Sequence, residues 1–298
     1  MHGRAMRSLA LAMLVVAGCG PAADGDAPAA EGEAGVTAEK AAQPVALPPG
    51  AEGAVARLRQ SPRHGEWAMI PAGAGDSVRA WVVYPERSDP APVVVVVHEI
   101  FGLTNWVRAV ADQLAADGFI AIAPDLLTGQ DIPTDSAGDP QRDVVRRAIR
   151  SLQPDDVHRR LSAAATWGMA LPAATDRYGI VGFCWGGSTS FAHATRAPDL
   201  DAAVVYYGSS PDREALANVQ APVLGLYGGD DARVGATVPP AQAAMQELGK
   251  TYEVHSYEGA GHGFLRQQNG RDGANMRASE QAWPETIRWF RTYLEAAS

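Results

Sequence analysis

The chain has 298 residues, 46% of them hydrophobic, which is enough for one large domain with a full core. Its formal net charge of −9 and pI near 5.3 repel a phosphate backbone on average, so nucleic acid is not an expected partner. Two cysteines, Cys19 and Cys184, are too few for a disulfide framework.

Met1 to Gly18 reads as an export signal. Arg4 and Arg7 make a positive start, and the apolar run from Leu9 to Ala17 is too short to span a bilayer. It ends in Val16-Ala17-Gly18-Cys19, which resembles a bacterial lipobox, so Cys19 is expected to be acylated and to anchor an exported lipoprotein to a membrane, on the periplasmic or cell-surface side. If Cys19 carries lipid, Cys184 has no disulfide partner. Residues 19–54 are Ala-, Gly-, Pro- and Glu-rich without an aromatic residue, and are expected to be a disordered tether before a domain over residues 55–298.

Two apolar stretches, Trp67–Ile70 and Val78–Tyr84, bracket Gly73-Ala74-Gly75-Asp76 and predict a hairpin. The five valines Val93 to Val97 have no polar face and suit a strand covered on both sides. Thr104 can cap a helix carrying Trp106, Val107, Val110 and Leu114 on one face, stopped at Asp117-Gly118. A strand follows at Phe119–Pro124, then a polar loop and helical segments between about Gln141 and Gly168. Next come a strand at Tyr178–Phe183, a helix from Gly187 to about Thr195, and strands at Ala202–Tyr207 and Val223–Tyr227. A helix over Pro240–Leu248, a strand at Tyr252–Tyr257 and a closing helix over Trp283–Leu294 complete the pattern. Strands alternating with helices in this way predict an α/β fold with a mostly parallel central sheet flanked by helices. Reactive groups in such folds gather at the carboxyl ends of the strands.

Cys184 falls at one of those ends, within Gly182-Phe183-Cys184-Trp185-Gly186. Gly-x-Cys-x-Gly between a strand and a helix is a nucleophile-elbow pattern with sulfur in place of oxygen, and the helix start is expected to lower the thiol pKa. The alternative is a small buried hydrophobe, the common fate of a free cysteine. A thiol nucleophile needs a base and the base an orienting acid, each after a later strand. Of seven histidines, His262 alone lies in a glycine-bracketed loop at a strand end, while His98, His193 and His255 read as structural or solvated and none shows metal-ligand spacing. Asp230 and Asp231 both qualify as the acid, or as turn residues.

Four motifs in order resemble the dienelactone hydrolase family over roughly Val78 to Phe290: His98-Glu99-Ile100-Phe101-Gly102-Leu103, Gly182-Phe183-Cys184-Trp185-Gly186-Gly187, Tyr227-Gly228-Gly229-Asp230-Asp231, and Gly259-Ala260-Gly261-His262-Gly263-Phe264. The resemblance implies the α/β-hydrolase fold and a Cys184–Asp231–His262 triad. It also implies a glutamate, Glu99, that touches the nucleophile and governs when the thiol ionises. Ester or lactone cleavage would then pass through a thioester, with the backbone N–H groups of Trp185 and Ile100 receiving the oxyanion. No metal or organic cofactor is expected. The family binds a substrate carboxylate with two arginines; Arg266 matches one, but Gly129 stands where the other belongs. This departure keeps open a general carboxylesterase or thioesterase, and a non-catalytic lipoprotein that binds a small molecule or senses oxidants through Cys184 stays as an alternative of another class.

Overall fold

The computed structural model describes residues 45–295. The expected export signal, Cys19 and residues 20–44 of the expected tether lie outside them. No helix among the described residues is long and apolar enough to cross a membrane.

Eight strands form one sheet: β1 (Gly65–Gly73), β2 (Asp76–Val83), β3 (Ala91–Val97), β4 (Ile120–Pro124), β5 (Ala174–Phe183), β6 (Ala202–Tyr206), β7 (Val223–Gly228) and β8 (Tyr252–Tyr257). Their order is β1-β2-β4-β3-β5-β6-β7-β8. The first two form the expected hairpin, β2 meets β4 antiparallel, and all later pairings are parallel. The valine strand β3 is fully buried along its length, because helices cover both faces. Val94 and Val96 pack with α2 (Asn105–Ala116) and α9 (Ala274–Leu294), while Val93, Val95 and Val97 pack with α4 (Pro154–Met169), α5 (Trp185–Ala194) and α8 (Val238–Glu247). Full burial of each valine contributes roughly 1.5–3 kcal/mol before the entropy of ordering.

Thr104 caps α2 as expected, its hydroxyl accepting the N–H of Val107. The helical segment after the polar loop is two helices, α3 (Arg142–Ser151) and α4, separated at Leu152-Gln153. The closing helix α9 begins at Ala274, nine residues before the expected start, with Pro284 inside it. Proline favours a first helical turn, and that preference misleads the boundary here.

The folded part also begins earlier than the expected boundary at Val55. Val45 and Leu47 pack against the core, Trp106 Nε1–H donates to the Pro49 carbonyl at 3.0 Å, and Gln268 Nε2–H donates to that of Pro48 at 2.9 Å. The segment then enters α1 (Ala54–Gln60), whose Arg57 meets the buried Asp112 at 2.8 Å. Average composition hid two apolar residues and two carbonyls with partners waiting in the domain.

From β3 the chain runs to β4 on one side and then crosses to β5 on the other, so the connection reverses direction between the adjacent carboxyl ends of β3 and β5. A crevice forms where the strand order reverses in this way.

Candidate active site

Cys184 follows β5 and caps the N-terminus of α5 with φ 58° and ψ −114°, a conformation costly for any residue with a β-carbon. It persists because the neighbours fix it. A β-carbon on Gly182 would lie 1.9 Å from the Gly186 carbonyl oxygen, and one on Gly186 would lie 2.3 Å from that of Val97. The two glycines let strand, turn and helix pack closer than any side chain allows, and the Cys184 N–H is tied to the Tyr206 carbonyl at 3.1 Å.

The thiol is partly exposed and has no disulfide partner among the described residues. Backbone N–H groups of Trp185 and Ile100 both reach the sulfur and favour its anion. They are the two donors expected to receive an oxyanion, and they converge because β3 and β5 are neighbours with Val97 opposite Gly182. Their influence does not win. Burial first, and the Glu99 carboxylate second, push the thiol up from its ordinary value, so the expected lowering by the helix start is present but outweighed. Among the described residues Cys184 makes no hydrogen bond to His262.

Glu99 is 2% exposed in the loop after β3. Burial pushes its carboxyl up to about 7, although Arg266 and, more weakly, Arg142 pull the other way. Arg266 Nε lies 2.8 Å from Glu99 Oε2, an ion pair by distance. The N–H does not point along that contact, so neither atom makes a directed hydrogen bond. Arg266 therefore stands in the site, but its charge is opposed by Glu99 rather than left open for a substrate carboxylate. Gly129, in the place of the second arginine, has φ 89° and open space around it, so backbone conformation disfavours a side chain there.

Asp231 and His262 follow β7 and β8, which pair up to Gly228 and Tyr257. His262 Nδ1–H donates to Asp231 Oδ2 at 2.5 Å, which leaves Nε2 as the working nitrogen. Asp230 turns to Arg271 Nη1 at 2.8 Å instead.

Two residues had no functional role in the sequence reading. Tyr207 follows β6 with φ 40°, fully buried, its hydroxyl without a partner among the described residues and its ring edge-on to His262 at 5.2 Å. Its position after a strand was the available signal. Arg142, at the start of α3, stacks over the Phe101 ring at 5.1 Å while Arg266 stacks at 5.0 Å. Both arginines line a cavity of about 420 Å³ with Glu99 and Phe101. Arg142 has no ion pair among the described residues, and only proximity in space reveals it.

The other histidines lie elsewhere. His98 is buried, donates Nδ1–H to the Glu99 carbonyl at 2.9 Å and stacks on Trp185 at 5.5 Å, which steadies the Glu99 loop against the elbow. Burial lowers its pKa, so it stays neutral. His255 falls with Glu253 and Glu285 in a set whose ligand atoms lie within 4.8 Å of one another. Arg288 already contacts both carboxylates there, at 2.5 and 2.6 Å.

A family model described as "Dienelactone hydrolase family" matches residues 78–294. An Escherichia coli K12 protein assigned as a carboxymethylenebutenolidase is 32% identical over 231 residues, covering 74% of this chain and 84% of that protein. A carboxymethylenebutenolidase homolog of Rattus norvegicus is 31% identical over 222 residues, covering 71% and 87%. The crystal structure of a Klebsiella pneumoniae protein assigned as a dienelactone hydrolase superposes with a TM-score of 0.68 at 29% identity, covering 78% of this chain and 99% of that one.

Proposed function

The chain belongs to the dienelactone hydrolase family, whose members are carboxylic ester hydrolases, and from this premise we propose that it cleaves an ester or lactone through Cys184, His262 and Asp231. The observation that carries the reading is the 2.5 Å His262–Asp231 hydrogen bond, set beside an elbow cysteine whose sulfur is met by the N–H groups of Ile100 and Trp185.

At rest the thiol is neutral, because burial and Glu99 oppose its ionisation. A substrate carbonyl that takes over the Ile100 and Trp185 donors frees the sulfur, and the thiol proton passes to a nearby base, with Glu99 poised near neutrality to take part. The thiolate attacks the carbonyl carbon and the two amides hold the oxyanion, each donor worth roughly 3 kcal/mol. Collapse forms a thioester and expels the enolate or alkoxide, which receives the proton taken from the thiol and relayed through His262 Nε2. Water, deprotonated at His262 Nε2, then attacks the thioester and returns the free thiol. Asp231 fixes the tautomer that makes Nε2 available for both steps.

A general carboxylesterase or thioesterase stands as the second reading. Gly129 and the Glu99–Arg266 pair favour it, since the second arginine of the family pattern is absent and the first is already opposed by a carboxylate. The substrate of either reading is a small molecule. The discriminating experiment compares hydrolysis of a dienelactone and of an activated aryl ester by the full-length chain, with Cys184→Ala alongside. Turnover of both that vanishes in the variant supports the triad, and their ratio ranks the two readings. Ligand binding without turnover would favour the non-catalytic alternative.

For location we propose the exported, membrane-anchored lipoprotein that the sequence from Met1 to Cys19 suggests. Mass spectrometry of the mature N-terminus tests it: a diacylated or triacylated Cys19 agrees, and an intact Met1 contradicts.

A further inference from the structure

A second cavity, of about 340 Å³, runs along the outer face of α5. Its floor is a stripe of α5, Trp185, Ser188, Thr189, Ala192 and His193, at the i, i+3, i+4 spacing that brings side chains onto one face, continued by Arg196 just past the helix end. Ile149, Leu152, Val157 and Leu161, from α3, α4 and the turn between them, make apolar walls. Cys184, Asp231, His262 and Glu99 are not among its lining residues, and its volume is within the range of small-molecule sites.

Most polar groups lining this cavity already have partners. Ser188 Oγ accepts the N–H of Ser209 at 2.8 Å, and Thr189 Oγ1–H donates to the Trp185 carbonyl at 2.8 Å. His158 and His193 face each other Nδ1 to Nδ1 at 2.9 Å, so one donates and the other accepts. Burial lowers the pKa of both, His193 to about 3, and neither brings a charge. Arg196 is paired with Asp155 at 2.7 Å. Arg150 is the exception: it stands exposed at the mouth with no hydrogen bond or ion pair among the described residues. Arg146 and Arg147 on the same helix likewise have no hydrogen bond or ion pair among the described residues.

A site with apolar walls, few free polar groups and an unmatched cation at its rim fits one kind of occupant. We propose that this cavity binds an amphipathic carboxylate, its hydrocarbon laid along α5 and its carboxylate at Arg150. The occupant would touch the indole of Trp185, the residue whose backbone N–H reaches Cys184. The proposal stands apart from the catalytic reading and does not depend on it.

Calorimetric titration of the full-length chain with octanoate, butanoate and octan-1-ol tests the assignment. Each methylene removed is expected to weaken binding about fourfold, from roughly 0.8 kcal/mol per buried CH₂. Ala192→Phe, at an exposed floor position, is expected to weaken octanoate at least tenfold by filling the groove. Arg150→Gln is expected to erase the preference for octanoate over octan-1-ol while the alcohol binds as before. Absence of octanoate binding, or binding unchanged in Ala192→Phe, would overturn the site. A preference for the anion that survives Arg150→Gln would overturn the ligand class, and circular dichroism of both variants separates loss of binding from loss of fold.

Discussion

Asp231 Oδ2 receives the Nδ1–H of His262 at 2.5 Å, while the carboxylate of Asp230, one residue earlier, turns away to Arg271 at 2.8 Å. Two adjacent aspartates thus have opposite fates, and substitution separates them. Asp231→Asn presents the imidazole with the wrong partner and is expected to lower kcat by about 10⁴, the scale of losing the orienting acid. Asp230→Asn removes only an exposed ion pair and is expected to keep kcat within a few-fold. Steady-state hydrolysis of an aryl ester checks both, and equal losses would contradict the assignment.

Glu99 and Cys184 oppose one another electrostatically, and the sign can be followed. The Glu99 carboxylate raises the thiol pKa, so Glu99→Gln lowers it and increases the thiolate fraction at a given pH. Alkylation by iodoacetamide at pH 8 is therefore expected to be faster in Glu99→Gln than in the unmutated chain, while ester hydrolysis falls. Slower alkylation in the variant would show that Glu99 promotes the resting thiolate instead.

Glu99 also makes stability depend on pH. Its carboxyl is raised from 4.5 to about 7 in the fold, so the folded state holds the proton more tightly than the unfolded chain. The contribution is fully present below 4.5 and is lost as pH rises through about 7. Asp117, raised to about 6 by burial, acts with the same sign. Denaturant melts of the unmutated chain and of Glu99→Gln between pH 4.5 and 8 are expected to show a smaller fall with pH in the variant.

The elbow glycines are steric requirements. A β-carbon on Gly182 would meet backbone at 1.9 Å, with no flexible side chain to give way. Gly182→Ala is expected to destabilise the fold by about 3 kcal/mol or more and to disturb Cys184. Chemical denaturation measures the first effect and thiol alkylation the second.

The folded boundary is testable by truncation. A chain cut before Val55 leaves Trp106 Nε1 and Gln268 Nε2 without the Pro49 and Pro48 carbonyls, at about 1–3 kcal/mol for each group left unmatched. A chain cut before Pro44 keeps both. Comparison of their denaturation midpoints is expected to favour the longer form.

Most of the sheet was legible because its strands are short apolar runs between turn residues, as with the valines of β3 and the hairpin before them. Cys184 and His262 were legible for a similar reason: glycines crowd only where the backbone must bend or pack closely. Asp231 was separable from Asp230 only by the family pattern, because the choice depends on where β8 places His262. The thiol's raised pKa and the Glu99–Arg266 pair were hidden, since the first arises from burial and from Glu99, 85 residues earlier in the chain, and the second joins loops 167 residues apart. Arg142 and Tyr207 were missed for the same reason, and the start of α9 because Pro284 imitates a helix beginning.

The central claim is that Cys184 forms a covalent acyl intermediate that His262 resolves. The direct measurement is intact-protein and peptide mass spectrometry of His262→Ala after mixing with an activated aryl ester. The account predicts one acyl group per chain, on the peptide containing Cys184, accumulating because thioester hydrolysis has lost its base, and no adduct in the Cys184→Ala, His262→Ala double variant. Hydrolysis by the unmutated chain that persists at full rate in Cys184→Ala, or an acyl group found on another residue, would contradict it.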